Sequence, residues 1–326
     1  MKIKSKVMVV LAAGALLAGC GSGQIGDGGG AATEPGNKNL ALLTGMRGEP
    51  FYVSIECAAK EAAAAAGYEL NAQAPEKFEQ AEQAQLLNGV VSSRPGAVII
   101  APTDDKALAT PLQQAKDNGV QVVEVDTALE DRSIAVSSLS SDNHAGGVLA
   151  AQTLAELVGD RPGSVLALNT KAGTSTTDER ARGFEEEIAK HPNLKLLPTQ
   201  YTENEPATAA QIVSATLAAN PDLVGVFGTN LNTGEGAGTA LANAGRSGQV
   251  QLVGFDASPK QVDDLRSGRV QALIAQNPAE IGREGVNRAI AAIKGEPVER
   301  ETKTDMIALT RDSMEQQAQH FYRATC

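Results

Sequence analysis

From Asn39 onward, apolar runs of strand length alternate with amphipathic segments of helix length. This alternation constrains the chain more than any other feature. A strand followed by a helical crossover returns parallel to its predecessor, so repeated βα units build a parallel sheet with helices on its faces. The strand-like runs span residues 40–44, 68–72, 97–101, 120–126, 164–169, 194–200, 223–228, 251–255 and 270–276. Helices are predicted over 51–66, 78–91, 104–118, 144–158 and 277–294. In the last of these Ile281, Gly285, Ala289 and Ile293 recur on one face, a core-facing stripe. The polar stretch 137–143, SSLSSDN, separates two similar halves and reads as a domain crossover. Residues 299–309 read as extended and 312–323 as a helical tail. A chain of 326 residues accommodates about two domains. The expected fold class is therefore α/β, with two doubly wound parallel-sheet lobes.

Ahead of residue 39 the pattern is different. Lys2, Lys4 and Lys6 precede an apolar run over 7–17. That run is shorter than the roughly 20 residues a membrane span needs, and residues 1–19 read as a secretory signal peptide. Leu17-Ala18-Gly19-Cys20 resembles the bacterial lipoprotein cleavage box. The resemblance implies lipidation of Cys20 and an extracytoplasmic protein anchored to the cell membrane. Residues 20–38 are glycine-rich and aperiodic, a flexible tether. The net charge of −11 argues against a nucleic-acid partner.

In an open parallel sheet, ligands sit outside the carboxyl ends of the strands. Here those ends are polar. The first runs on to Glu49-Pro50-Phe51-Tyr52, the third ends in Ala101-Pro102-Thr103-Asp104 and the fourth in Asp126-Thr127. In the second half come the segment 173–184 (GTSTTDERARGF), Thr229-Asn230, Phe255-Asp256 and Gln276-Asn277. Aromatics are only 3% of the chain and Trp is absent, so each aromatic facing a cleft carries weight. Phe255 beside Asp256 offers an apolar face next to a charged acceptor, which suits a polyhydroxy ligand. The alternative is a core Phe and a helix-capping Asp.

Taken together, PFYVSI, IIAPTD, EVDT, SSDNHAGG, GTSTTDERARGF, VGFDASP and ALIAQNPAEIG resemble the ribose-binding group of type I periplasmic solute receptors, the sugar-binding subunits of ABC importers. The resemblance covers Asn39 to about Thr310. It implies two lobes, 39–140 with 277–305 and 141–276 with 306–326, joined by three crossovers and closing over a sugar or polyol. It implies a monomer that meets ABC permease subunits and the membrane, and needs neither cofactor, metal nor catalysis. Residue by residue, Phe51 and Tyr52 supply the aromatic wall. Asp126 and Asp256 accept hydroxyl protons, Arg180 offers a planar fork, and Asn230 and Gln276 both donate and accept. Glu49, Thr127 and Asn204 stand where the ribose group carries Asn, Arg and an aromatic, and Ala101 replaces another Asn. Those departures point to a different pentose, a hexose or a polyol.

Other functions find less support. The stretch 173–177, GTSTT, lacks the closing Gly of a nucleophile elbow, and no Walker A lysine occurs. Gly234, Gly236 and Gly238 fall inside a predicted helix, where a dinucleotide fingerprint does not work. His144, His191 and His320 are too scattered for a metal site. A repressor with the same lobes needs an N-terminal helix-turn-helix, where this chain has its signal. A signal-molecule or chemosensory receptor of the same fold stays open as an alternative. With Cys20 lipidated, Cys57 and Cys326 remain, and the oxidising compartment predicts a disulfide between them rather than two free thiols.

Overall fold

The computed structural model describes residues 37–326. The signal peptide, Cys20 and nearly all of the tether lie outside the described residues. The first half of the chain forms β1 (Asn39–Leu43), α1 (Pro50–Ala65), β2 (Glu69–Gln73), α2 (Gln80–Ser92), β3 (Ala97–Ile100), α3 (Ala109–Asp117), β4 (Gln121–Val125) and β5 (Ser137–Ser141). The second begins with α4 (Asn143–Val158), β6 (Gly163–Asn169), α5 (Ser175–Ile188), β7 (Leu194–Leu196), β8 (Gln200–Tyr201) and α6 (Pro206–Ala219). It continues with β9 (Leu223–Gly228), α7 (Leu231–Asn243), β10 (Gln251–Phe255), α8 (Pro259–Ser267) and β11 (Ala272–Ala275). Last come α9 (Pro278–Ile293), β12 (Glu301–Thr304), β13 (Ile307–Thr310) and a 3-10 turn, Met314–His320.

Two sheets result. Their orders, β2-β1-β3-β4-β5-β12 and β7-β6-β9-β10-β11-β13, repeat one topology. Every pair is parallel except β11 with β13. In each sheet the first strand lies between the second and the third, a switch point that opens a crevice at the carboxyl ends. The chain passes between the lobes at β5–α4, β11–α9 and β12–β13. The packing agrees: α4 lies on α5 and β10, whereas α9 lies on α1, β3 and β4.

Both faces of each sheet are covered, so the strands are apolar on both sides. Leu40, Leu42, Ile99 and Val123 pack with Ile55, Ala59, Ile281 and Val286 of α1 and α9. Ala41, Leu43, Val98 and Ile100 face the other way, onto Leu87, Val90 and Leu112 of α2 and α3. In the second lobe Leu166, Leu168 and Leu252 meet Val213 and Leu241 of α6 and α7. Val165, Phe227, Val253 and Phe255 meet Leu154 and Phe184 of α4 and α5.

Several elements differ from the sequence expectation. The stretch 137–143 is not a bare crossover: its first part is β5, hydrogen-bonded between β4 and β12. Only Leu139 gives it an apolar core residue; its serines are held by hydrogen bonds, Ser137 Oγ to Glu299 O and Ser141 Oγ to Gln276 Oε1. The run 194–200 is interrupted, giving β7 and β8, both on β6. α2 starts at Gln80, leaving Phe78 in the loop before it. α3 starts at Ala109, because the Asp104 carboxylate accepts the N–H groups of Lys106 and Ala107 in a preceding turn.

The tail is a 3-10 turn rather than an α-helix. It leaves β13 and returns to the first lobe. Arg323 N–H donates to Ser54 Oγ at 2.8 Å, and the Arg323 guanidinium meets Glu61 at 2.7 Å. Cys57 of α1 and Cys326 form a disulfide with their Cα atoms 5.3 Å apart. Among the described residues no helix is long and apolar enough to cross a membrane.

Candidate ligand-binding site

The carboxyl ends of the two sheets face each other across a cavity of about 40 Å³. Loops and the N-terminal turns of helices from both lobes line it. From the first lobe come Glu49, Phe51, Tyr52, Phe78, Asp126 and Thr127. From the second come Thr170, Thr174, Thr176, Thr177, Arg180, Asn204, Asn230, Asp256 and Gln276.

Asp126 and Asp256 anchor the two sides. Each follows the fourth strand of its sheet and takes a left-handed backbone, with φ of 64° and 79°. Asp tolerates this conformation better than most residues, and it turns the side chain off the strand axis into the crevice. Asp126 Oδ2 accepts the Tyr52 hydroxyl at 2.9 Å. Asp256 Oδ1 accepts Gln276 Nε2 at 2.7 Å and the Tyr322 hydroxyl at 3.1 Å, and its Oδ2 accepts Leu231 N–H at 3.0 Å.

Arg180 lies on α5, with only 3% of its surface exposed. Its guanidinium rests on the Phe255 ring, 3.8 Å from the centroid. Nε donates to Asn143 Oδ1, Nη1 to Thr229 O and Nη2 to Gln276 Oε1, at 2.8, 3.0 and 3.1 Å. Three donors are thus spent on orientation, and the others remain for a ligand. Close packing of α4 on α5 sets this position. A Cβ at Gly147 would stand 2.0 Å from Arg180 O, so no other residue fits there without moving α5. The surface ion pair with Glu179 or Asp178 that such a helical Arg could adopt does not form; Asp178 instead accepts Asn169 Nδ2 and Gly173 N–H.

Other lining groups carry structural duties as well. Asn230 caps α7 in a capping box with Thr233 and donates to Asn204 Oδ1 at 2.7 Å. Thr127 donates its hydroxyl to Pro102 O at 2.7 Å. Phe51 and Tyr52 start α1, where Pro50 fixes the first turn, and their rings meet edge-on at 5.3 Å.

Electrostatically the cavity holds three carboxyls against one guanidinium. Burial pushes the Glu49 carboxyl up to about 8, helped by Asp256 and Asp126 and only partly offset by Arg180. Asp126 is raised to about 6 by burial, against the pull of Arg180 and the Tyr52 hydrogen bond. Asp256 is raised for the same first reason. Burial also holds the Tyr52 and Tyr322 hydroxyls protonated, well above their usual range. The Glu49 carboxyl has no hydrogen-bond partner among the described residues. It is therefore a free donor when protonated, aimed at whatever fills the cavity.

Of the aromatics named from the sequence, Phe51 and Tyr52 line the cavity and Phe255 is the exception. Phe255 does not line the cavity. It is fully buried, packed near Phe227 at 6.5 Å and under Arg180. Its register explains this: Phe255 shares a strand face with Val253, and that face is core. Phe78, which the sequence reading placed at the start of a helix, lies in the loop before it and takes a place in the wall. The threonine hydroxyls of 170, 174, 176 and 177 were not singled out, although the last three lie in the GTSTT run. The histidines lie away from the cavity wall; His144 pairs with Glu186 on the outer surface of α4 and α5. Among the described residues no group of three His, Cys, Asp or Glu side chains could hold a metal ion.

Comparison with known proteins agrees with this architecture. The family model described as a periplasmic binding protein domain matches residues 40–297. The ribose import binding protein RbsB of Escherichia coli K12 is 31% identical over 267 residues, covering 82% of this chain and 88% of its own. An ABC transporter solute-binding protein from Agrobacterium vitis, solved with α-D-tagatopyranose, superposes with a TM-score of 0.85 at 38% identity, covering 87% of this chain and 99% of that one. One from Agrobacterium radiobacter in complex with D-arabinose gives a TM-score of 0.82 at 27% identity, over 87% and 97%. With most of its length matched, its two lobes repeating one topology and a cavity lined by both, the chain belongs to the periplasmic binding protein domain family.

Proposed function

We propose that this protein is an extracytoplasmic receptor that closes its two lobes around one neutral monosaccharide or polyol and presents it to an ABC importer. The observation that carries this reading is the shared cavity, in which each lobe contributes a strand-end aspartate. The aromatic rings of Phe51 and Phe78 suit the C–H face of a sugar ring. Asp126 and Asp256 accept hydroxyl protons, the free donors of Arg180 meet hydroxyl or ring oxygens, and the threonines do either. A ligand that touches both lobes binds the closed form better than the open one, and this difference shifts the equilibrium to closure. The bodies that move are 39–140 with 277–305 and 141–276, with β13, hinged at the three interlobe passages. The tagatose, fucose and arabinose named for solved relatives support a five- or six-carbon ligand. The protein performs no chemistry in this role. It acts as a monomer, held at the membrane by lipid on Cys20.

The test is a thermal-shift panel of pentoses, hexoses and polyols on the purified protein. A cognate ligand raises the midpoint by mass action, about 2.7 kcal/mol of stabilisation at a hundred times its Kd. A panel without a single shift rejects the reading.

A further inference from the structure

Beyond residue 297, where the match to the family model ends, the chain still contributes to the site. Tyr322 is buried at 4% exposure between the cavity and α1. Its ring packs 5.8 Å from Phe51, a cavity-wall residue of the first lobe. Its hydroxyl accepts Gln276 N–H at 3.0 Å and donates to Asp256 Oδ1 at 3.1 Å, both in the second lobe. Its own N–H donates to Ala257 O at 3.0 Å. The next residue, Arg323, is bound to Ser54 and Glu61, and Cys326 is bridged to Cys57, all on α1.

We infer that the C-terminal tail is a fourth, covalently fastened interlobe connection, through which Tyr322 positions Asp256 and Gln276 for the ligand. The inference rests on the sugar-receptor reading above. Tyr322 does not line the cavity, so it acts through Asp256 and Gln276 and is a positioning residue. Without its hydroxyl, Asp256 Oδ1 keeps only Gln276 Nε2, and the Gln276 N–H loses its acceptor. Gln276 is also what Arg180 Nη2 and Ser141 Oγ lean on. One hydroxyl therefore supports the orientation of three groups facing the ligand. The disulfide matters because the tail is a short 3-10 turn followed by extended chain. With Cys326 released, the Arg323 contacts and the Tyr322–Phe51 ring contact hold its end to α1, and one of the former is an exposed ion pair of small worth. Affinity is then linked to the redox state of a bridge remote from the ligand.

The experiment is calorimetric titration of the tightest monosaccharide from the panel into wild type, Tyr322→Phe, Cys326→Ser, Asp256→Asn and the Tyr322→Phe/Asp256→Asn double variant. Wild type and Tyr322→Phe are also titrated with reductant. Tyr322→Phe keeps the ring against Phe51 and is expected to bind about tenfold more weakly. Adding Tyr322→Phe to Asp256→Asn is expected to cost less than Tyr322→Phe costs in wild type, because one of its two hydrogen bonds acts through Asp256. Reduction and Cys326→Ser are expected to weaken wild type by a similar factor and to leave Tyr322→Phe nearly unchanged. A merely structural Tyr322 would give additive losses. Wild-type affinity in Tyr322→Phe, or full additivity, overturns the inference while sugar binding itself stands. Failure of wild type to bind any monosaccharide overturns the receptor reading and the inference with it.

Discussion

Asp126 and Asp256 occupy equivalent places in the two lobes. Each follows the fourth strand of its sheet, each has positive φ, 64° and 79°, and each donates its backbone N–H at 2.8 Å to a carbonyl of the next strand, Leu139 O and Ile274 O. Holding a non-glycine residue there costs about 1–3 kcal/mol, which the surrounding sheet offsets. The same strand end thus delivers one carboxylate from each side of the cavity.

This relationship separates stability from binding. Asp126→Gly relieves the backbone and the buried charge together, so the ligand-free protein is expected to be as stable as wild type or more so. Its affinity is expected to fall by about 1–3 kcal/mol, because ligand hydroxyls lose their acceptor. Urea unfolding and calorimetry on the same preparation check both. A destabilised variant with intact affinity would show that Asp126 serves the fold and not the ligand.

The carboxyls also predict a pH dependence. Glu49 and Asp126 have folded-state values of about 8 and about 6, above their ordinary 4.5 and 3.8. The folded state therefore binds more protons than the unfolded one in this interval, and stability falls as pH rises. The loss is expected between about pH 4 and 8, with Asp126 titrating first. Thermal midpoints of ligand-free protein across that range test it. Glu49→Gln mimics the protonated form and is expected to flatten the upper part of the profile. A midpoint that rises from pH 5 to 8 in wild type would contradict the charge balance of the cavity.

Ribose is not expected to be the tightest ligand. Ala101 is fully buried outside the cavity wall, and the Thr127 hydroxyl is spent on Pro102 O. Neither replaces the Asn and Arg that the ribose-binding group offers at these places. Competition calorimetry is expected to rank a hexose or another pentose about tenfold above ribose. Ribose at the head of the panel would refute this.

The disulfide closes a loop with a sequence separation of 269 residues. On the chain-entropy account a loop of this length is worth about 5–6 kcal/mol. Reduced protein is expected to unfold at clearly lower urea concentration than oxidised protein. Coincident transitions would mean that the tail adds nothing to the fold.

The lobes were legible in the sequence because both faces of each sheet are buried, leaving unbroken apolar runs such as 97–100 and 252–255. What the sequence hid depends on partners far along the chain. β5 is serine at four of its five positions, and its strand state comes from pairing with β4 and β12, the latter about 160 residues away. Leu194–Leu196 and Gln200–Tyr201 are separated by Pro198, which has no N–H for the ladder. At the site, strand-end polarity pointed to Asp126, Asp256, Asn230 and Gln276, since a parallel sheet collects its carboxyl ends. Phe255 misled because a strand-end aromatic can face crevice or core, and only its parity with Val253 decides. Phe78 was lost because its helix begins two residues later. Tyr322 reaches Asp256 across 66 positions, a contact that no local pattern announces.

The most direct measurement is a calorimetric titration of neutral monosaccharides and polyols into the purified protein, repeated with Asp126→Ala. The account predicts one sugar binding at a single site with a Kd of about 1 µM or tighter, worth −8.2 kcal/mol, and at least a several-fold loss in the variant. No binding heat with any of them at millimolar concentration, or equal affinity in the variant, would contradict it.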